Sequence, residues 1–421
     1  MIRSLCFYLL LLASTAAPAG TVALVGGTVH PVSSDPIEHA TLVMTDGAIT
    51  ALGADVKVPQ GAQKVNAAGL HVYPGLIAAY SQLGLVELPS VRATVDTSEA
   101  GDFNPNAMAH KAVNPDSELI PVTRSGGVLL ALAAPDGGLF SGQSSLIRLG
   151  GWTWEDMLVR PGVGMHVRWP ATRKRGSEKD TSEASLRRMA QLLDDARAYQ
   201  AARDADPETP FDIRWEAMGP LLRGEQPLIV DADWLDQIES AVAFCAEQKL
   251  RLIIMGGYDA PHCAALLKAH DVPVVVSAIH RLPLRRGDDY DAPYTLPERL
   301  RKAGVRYCIA GGGRFASNVR NLPYHAATAA GYGLPRDEAL KAITLYPAQI
   351  LGVDDRVGSL EVGKEATLLI CDGDPLETPT HVQRAWLRGE EVDLDDRQKR
   401  LHQKFRKRID NVGQASPVES P

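Results

Sequence analysis

The sequence predicts an α/β protein: a TIM-type (β/α)8 barrel carried between two β-rich chain ends. Three observations predict it. Eight short, apolar, β-prone runs lie between residues 76 and 310. From the fifth run onward they alternate with helical patterns, which implies a parallel sheet with right-handed crossovers. The length of 421 residues is too great for one average domain but suits a barrel plus a small second domain.

Composition narrows the classes. Hydrophobic residues make up 45% and charged residues 23%, so a large core is expected and disorder is not. The net charge of −7 gives no electrostatic reason to expect nucleic acid as a partner.

Residues 1–19 read as a cleavable signal peptide. Arg3 gives the positive start, residues 5–13 the apolar run and Ala17-Pro-Ala19 the small-residue cleavage site. The run is too short to span a bilayer. Export to the periplasm or the medium is expected, with an uncleaved anchor as the alternative. Cys6 belongs to this leader. Cys245, Cys263, Cys308 and Cys371 stand in apolar contexts without CxxC spacing and read as buried thiols. A Cys245–Cys263 bridge is the alternative in an oxidising compartment.

From residue 20 to residue 73, strand runs alternate with turns, and Asp46-Gly47 between two runs reads as a tight hairpin. Residues 358–370 and 382–392 have the same character. The eight barrel runs are 76–80, 128–132, 145–149, 165–169, 228–231, 252–255, 274–277 and 307–310. Helical patterns at 234–248, 260–270, 296–303 and 337–351 follow the last four. The first half is less regular. Residues 87–123 form a long polar loop, expected to act as a lid. Residues 180–205 form a charged helix with Asp180 as N-cap and Glu183 three residues on, expected as a surface insertion. The tail from 395 to 410 is a helix rich in Lys and Arg, read as a solvated face with a disordered end.

Several stretches resemble a known family. His71-Val-Tyr-Pro-Gly-Leu-Ile-Ala-Ala-Tyr-Ser-Gln82 is similar to the barrel entry of the amidohydrolase superfamily, metal-dependent hydrolases of amides, ureas and related bonds. Val357-Gly-Ser-Leu-Glu-Val-Gly-Lys-Glu-Ala366 resembles its C-terminal signature. Asn114 to Arg124, Gly137 to Ile147, Trp152 to Asp156 and Asn318 to His325 resemble its imidazolonepropionase-like branch. The resemblance implies that both chain ends pair into one composite β-sandwich. The expected domains are then a sandwich of 20–73 with 353–393, a barrel of 74–352, and a tail of 394–421. It also implies hydrolysis of non-peptide C–N bonds with zinc or another divalent metal.

The metal positions of that family are filled differently here. Tyr80 and Gln82 replace the two histidines after strand one, and Arg168 follows strand four where a carboxylate or modified lysine belongs. Asp231-Ala-Asp233 follows strand five, Met255-Gly-Gly257 strand six, and the glycines ending at Arg314 replace the aspartate after strand eight. Only Asp231 and Asp233 suit a hard cation. The plainer alternative is that one caps the next helix and the other faces water. Of eleven histidines, His110, His280 and His325 could reach the barrel mouth, without HxH or HExxH spacing. Residues 311–313 with Arg314 and Arg320 could hold an anion, or the glycines could simply permit a tight turn. No cofactor is expected. The candidate catalytic residues are Asp231, Asp233 and His280, and the pocket positions are Tyr80, Gln82, Arg168, Met255 and Arg314. The expected function is a degenerate member of the family that binds a small molecule, or pairs with itself or with an active relative. The alternative is an exported hydrolase with a non-standard or metal-free site.

Overall fold

The computed structural model describes residues 20–170, 182–312 and 315–414, with side chains up to residue 410. The expected signal peptide, Asp180 and Arg314 lie outside the described residues. The first sheet contains β1 (Val22–Val29), β2 (Ile37–Thr45), β3 (Ala48–Gly53), β4 (Gln63–Asn66) and β5 (His71–Pro74). The barrel strands are β6 (Leu76–Ser81), β7 (Val128–Ala133), β8 (Phe140–Arg148), β9 (Leu158–Arg168), β10 (Leu228–Ala232), β11 (Leu252–Gly256), β12 (Val274–Val276) and β13 (Tyr307–Ile309). The chain then returns to the first sheet as β14 (Leu368–Cys371), β15 (Val382–Leu387) and β16 (Glu390–Val392).

Both chain ends build one sheet, in the order β16-β15-β14-β5-β1-β2-β3, with β4 also on β1. The join is β5, which pairs in parallel with β1 and antiparallel with β14. Asp46 and Gly47 both have positive φ, as the tight β2–β3 hairpin requires. Leu24, Leu42, Met44, Ile49, Leu368, Ile370 and Trp386 fill the core of this sheet.

All eight expected barrel strands form, in the order β6 to β13. Alternation sorts their side chains. Leu76, Val230, Ile254 and Val276 face outward into the layer under the helices, while Ile77, Leu130, Ile229, Ile253, Val275 and Cys308 face inward and fill the barrel. The seam between β13 and β6 is stitched by two consecutive residues. Ile309 N donates to Ala342 O at 2.9 Å, and Ile77 N donates to Ile343 O at 2.8 Å.

One strand departs from the expectation of an all-parallel sheet. β8 is antiparallel to both β7 and β9. It begins at Phe140, five residues before the run read from the sequence, so only residues 134–139 link it to β7. A parallel crossover needs a dozen or more residues. Gly137 and Gly138, both with positive φ, turn the chain straight back instead.

Two loop expectations are corrected. The segment expected as a lid lies along β8: Phe140 N donates to Asp102 O, Asn104 N to Phe140 O and Gln143 N to Ala107 O. The helix Ser182–Ala205 is no surface insertion. Met189, Leu192, Leu193 and Ala196 recur at helical spacing and are buried in the main core.

Candidate functional site

A cavity of about 550 Å³ opens where β6 and β10–β12 end. Its walls include Tyr80, Asp231, Asp233, Met255, His280 and His325. Strand alternation explains the first part of this set. In β10, Leu228, Val230 and Ala232 are committed to the outer layer, so Ile229 and Asp231 point inward, and Asp231 is the last of that row. Met255 stands beside it in register on β11.

The polar groups are tied into two small networks. Asp233 accepts from Arg281 Nη1 at 2.9 Å through one oxygen and from the Tyr258 backbone N–H at 3.3 Å through the other. Gly256 has positive φ, and a Cβ there would stand 2.7 Å from Asp233 Oδ1, so glycine is needed for this approach. In the second network His280 and His325 stack with centroids 4.1 Å apart. His325 Nδ1 accepts from the backbone N–H groups of Ile279 and His280, at 3.1 and 3.3 Å. In the neutral ring its proton therefore sits on Nε2. Burial, with His280 beside it, pushes His325 down to about 3. His280 is also lowered by burial, opposed by a backbone hydrogen bond with Tyr324, and its Nε2 lies 2.8 Å from Thr328 Oγ1. Both rings are neutral at neutral pH.

The expected site residues divide. Asp231, Asp233, His280, Tyr80 and Met255 meet in one cavity. Gln82 and Arg168 do not line it. Gln82 is buried at a turn, its carbonyl accepting from Leu85 and Val86, while Arg168 is exposed and pairs with Asp136 at 3.2 Å. His110 lies elsewhere too, with Nδ1 2.7 Å from Ser145 Oγ and its ring against Trp154. The Asp233 carboxylate, held by Arg281 and Tyr258, is not the cap of the helix Leu235–Gln248. Asp259 accepts from Leu235 N at 3.1 Å instead, and it is held in turn by the Arg285 guanidinium. Gly312 lines the cavity and Arg320 does not. Gly311 serves a tight turn: its φ is +74°, and a Cβ would stand 2.8 Å from Leu322 Cα. The four cysteines are all free and buried, so the Cys245–Cys263 bridge is absent.

Sequence reasoning missed Arg281, Ser277, Phe315, Asn318 and Asn321. Asn318 and Asn321 lie inside the stretch ending at His325 that carried the family resemblance, and Arg281 directly follows His280. A positively charged neighbour beside two candidate carboxylates was the available signal.

A divalent metal can be tested against these donors. A catalytic zinc takes about three protein ligands and an open position. His325 already uses Nδ1, and Asp233 is neutralised by Arg281, whose guanidinium would face an incoming cation. Tyr80 and Met255 offer a phenol and a thioether, both poor partners for a hard cation. As arranged, these residues do not fit the metal that the resemblance implies.

Residues 230–393 match the Amidohydrolase family. The chain is 24% identical over 389 residues to Amidohydrolase tasK of Hapsidospora irregularis, covering 79% of this chain and 37% of that protein. It is 38% identical over 58 residues to N-acetylgalactosamine-6-phosphate deacetylase of Escherichia coli O157:H7, 14% of each chain. The chain thus spans well under half the length of these curated relatives. Among solved structures, an amidohydrolase from Thermotoga maritima MSB8 superposes with a TM-score of 0.78 at 24% identity, covering 88% of this chain and 99% of that one. Molinate hydrolase superposes with a TM-score of 0.55 at 18% identity, covering 90% and 95%. Residues 230–393 thus match the Amidohydrolase family, and the barrel with its two-ended sheet shares the fold of these solved amidohydrolases.

Proposed function

We propose that this chain keeps the amidohydrolase barrel as a scaffold for binding a small polar molecule and has lost metal-assisted hydrolysis of non-peptide C–N bonds. One observation carries the reading. The residues at the family's ligand positions are Tyr80, Gln82, Arg168 and Met255, and the one well-placed carboxylate pair is half neutralised by Arg281. A cavity of about 550 Å³ lined by Asp231, Arg281, Asn318, Asn321 and two neutral histidines suits a ligand rich in amide or hydroxyl groups. Export through the N-terminal leader, and pairing with itself or with an active relative, belong to the same proposal.

The test is metal content of the purified chain, before and after loading with zinc, manganese and iron. No metal retained through dialysis is the expected result. About one or two equivalents retained, with hydrolysis of amide substrates, overturns the proposal. A second reading, a metal-free hydrolase, is favoured by Asp231 and His280 lining one cavity. It requires turnover with a bell-shaped pH profile that Asp231→Ala abolishes.

A further inference from the structure

We infer that the terminal helix, Arg397–Gln414, docks the protein on an anionic phospholipid surface. Its root is fixed. Lys399 N donates to Asp396 Oδ1 at 2.9 Å, and Arg400 reaches Glu118 on the barrel side at 3.5 Å. Asp396 itself is buried, whereas every residue from 397 to 410 is exposed. Along this stretch Leu401, Phe405 and Ile409 are 39%, 51% and 71% exposed. Their spacing of four places them on one ridge. Isolated exposed apolar residues are ordinary, but an aligned apolar ridge on a projecting helix is not.

Charge identifies the occupant. Residues 397–410 contain seven Lys or Arg and a single acid, Asp410, in a chain whose net charge is −7. At about 100° per residue, Arg397, Lys404 and Arg408 flank one side of the ridge and Arg406 the other, while Lys399, Arg400 and Lys407 lie towards the back. Asp410 falls on the opposite face. This is the pattern of a helix lying in a membrane interface, its apolar stripe in the acyl boundary and its cations at the headgroups. A nucleic acid would be met by the cations and leave the ridge wet. A second copy would set the same cations against each other. Among the described residues no helix is long and apolar enough to cross a membrane.

The experiment is co-sedimentation of the full chain with vesicles of phosphatidylglycerol and phosphatidylcholine in equal parts, against pure phosphatidylcholine. The expected result is binding to the anionic vesicles alone, weakened by salt. Phe405→Glu should weaken it at least tenfold, and Lys404→Glu or Arg408→Glu about fivefold each. Thermal unfolding should be unchanged by these variants, because their side chains are exposed. Binding to neither vesicle, or equally to both, overturns the inference. So does a dimer in light scattering that Phe405→Glu dissolves, which makes a second copy the occupant. Retention of duplex DNA that Lys404→Glu abolishes and Phe405→Glu spares overturns it in favour of nucleic acid.

Discussion

The two halves of the barrel close the same ring by different means. From β9 to β13 the strands are parallel and joined by helical crossovers, and the end of β11 and the loops after β10, β12 and β13 reach the cavity. From β7 to β9 the chain runs back and forth as a meander. The long excursion that precedes it, residues 82–118 between β6 and β7, lays residues 102–107 along β8 and adds no wall to this cavity. Tyr80, at the end of β6, is the first half's contribution to the mouth. A parallel unit delivers one loop to the mouth per strand, whereas a reversed strand sends one of its turns to the far end. Chemistry is therefore concentrated in the half whose strands all point the same way.

The largest test of this contrast sets a buried histidine on β9, the strand where the meander ends, against one that follows β13. His166 on β9 and His325 after β13 are both pushed down to about 3 by burial. Their native values lie below the unfolded value near 6.5, so the unfolded chain binds more protons between pH 6.5 and 3. Stability is then fully present above that window and falls as pH drops through it, by on the order of 4 kcal/mol for each ring. The rings differ in their partners. His325 Nδ1 serves two backbone amides, while His166 Nε2 is buried without a partner among the described residues. Urea unfolding at pH 7 should show His325→Leu less stable by about 1–3 kcal/mol and His166→Leu unchanged or more stable. Equal losses would mean that the meander half also depends on its histidine.

The next contrast is between buried polar ties. Asp259→Ala removes the acceptor at Leu235 N and leaves Arg285 only its longer ion pair with Asp288 at 3.6 Å, with an expected loss of about 2–3 kcal/mol. Into the meander, Gln226 Nε2, just before β10, donates to Gly162 O at 2.8 Å and Gln143 Oε1 at 3.2 Å, both neutral bonds. Gln226→Ala should cost about 1 kcal/mol in the same assay. A reversal of this order would place the stronger framework in the meander. The smallest stability effect is expected from Arg281→Ala, about 1 kcal/mol or less. Its sharper readout is manganese titration. Removing the guanidinium should increase binding of the cation at Asp231 and Asp233, and no increase would show that Arg281 is not what opposes a metal there.

Most of the strand pattern was readable because β-prone runs carry their own signature. The exceptions have local causes. The start of β8, Phe140-Ser-Gly-Gln-Ser, mixes polar residues into a buried strand, so the run looked shorter and its link to β7 looked long enough for a crossover. In the helix Ser182–Ala205, charged residues outnumber the stripe through Met189 and Ala196, which hid its buried face. At the mouth, Tyr80, Asp231 and Met255 were legible because strand register places them. Arg281, Asn318 and Asn321 come from loops, whose paths are set by distant packing and not by local periodicity. Arg168 was misplaced by its position on the same face of β9, two residues after the inward-facing His166, whose ring packs beside Tyr80; its side chain turns to Asp136 outside the cavity instead.

The two-residue stitch at Ala342 and Ile343 bears on the order of assembly. The first barrel strand obtains its closing hydrogen bond from a residue 266 positions later, since Ile77 donates to Ile343. Likewise β5 waits for β14 to cover its edge. A chain emerging from its N-terminus has neither ring nor sheet complete until these residues follow. Closure is a late, cooperative event gated by the last hundred residues, slow because the contacts are so distant in sequence. Until then the open edge of β5 is the place where a stray strand from a neighbouring chain can pair.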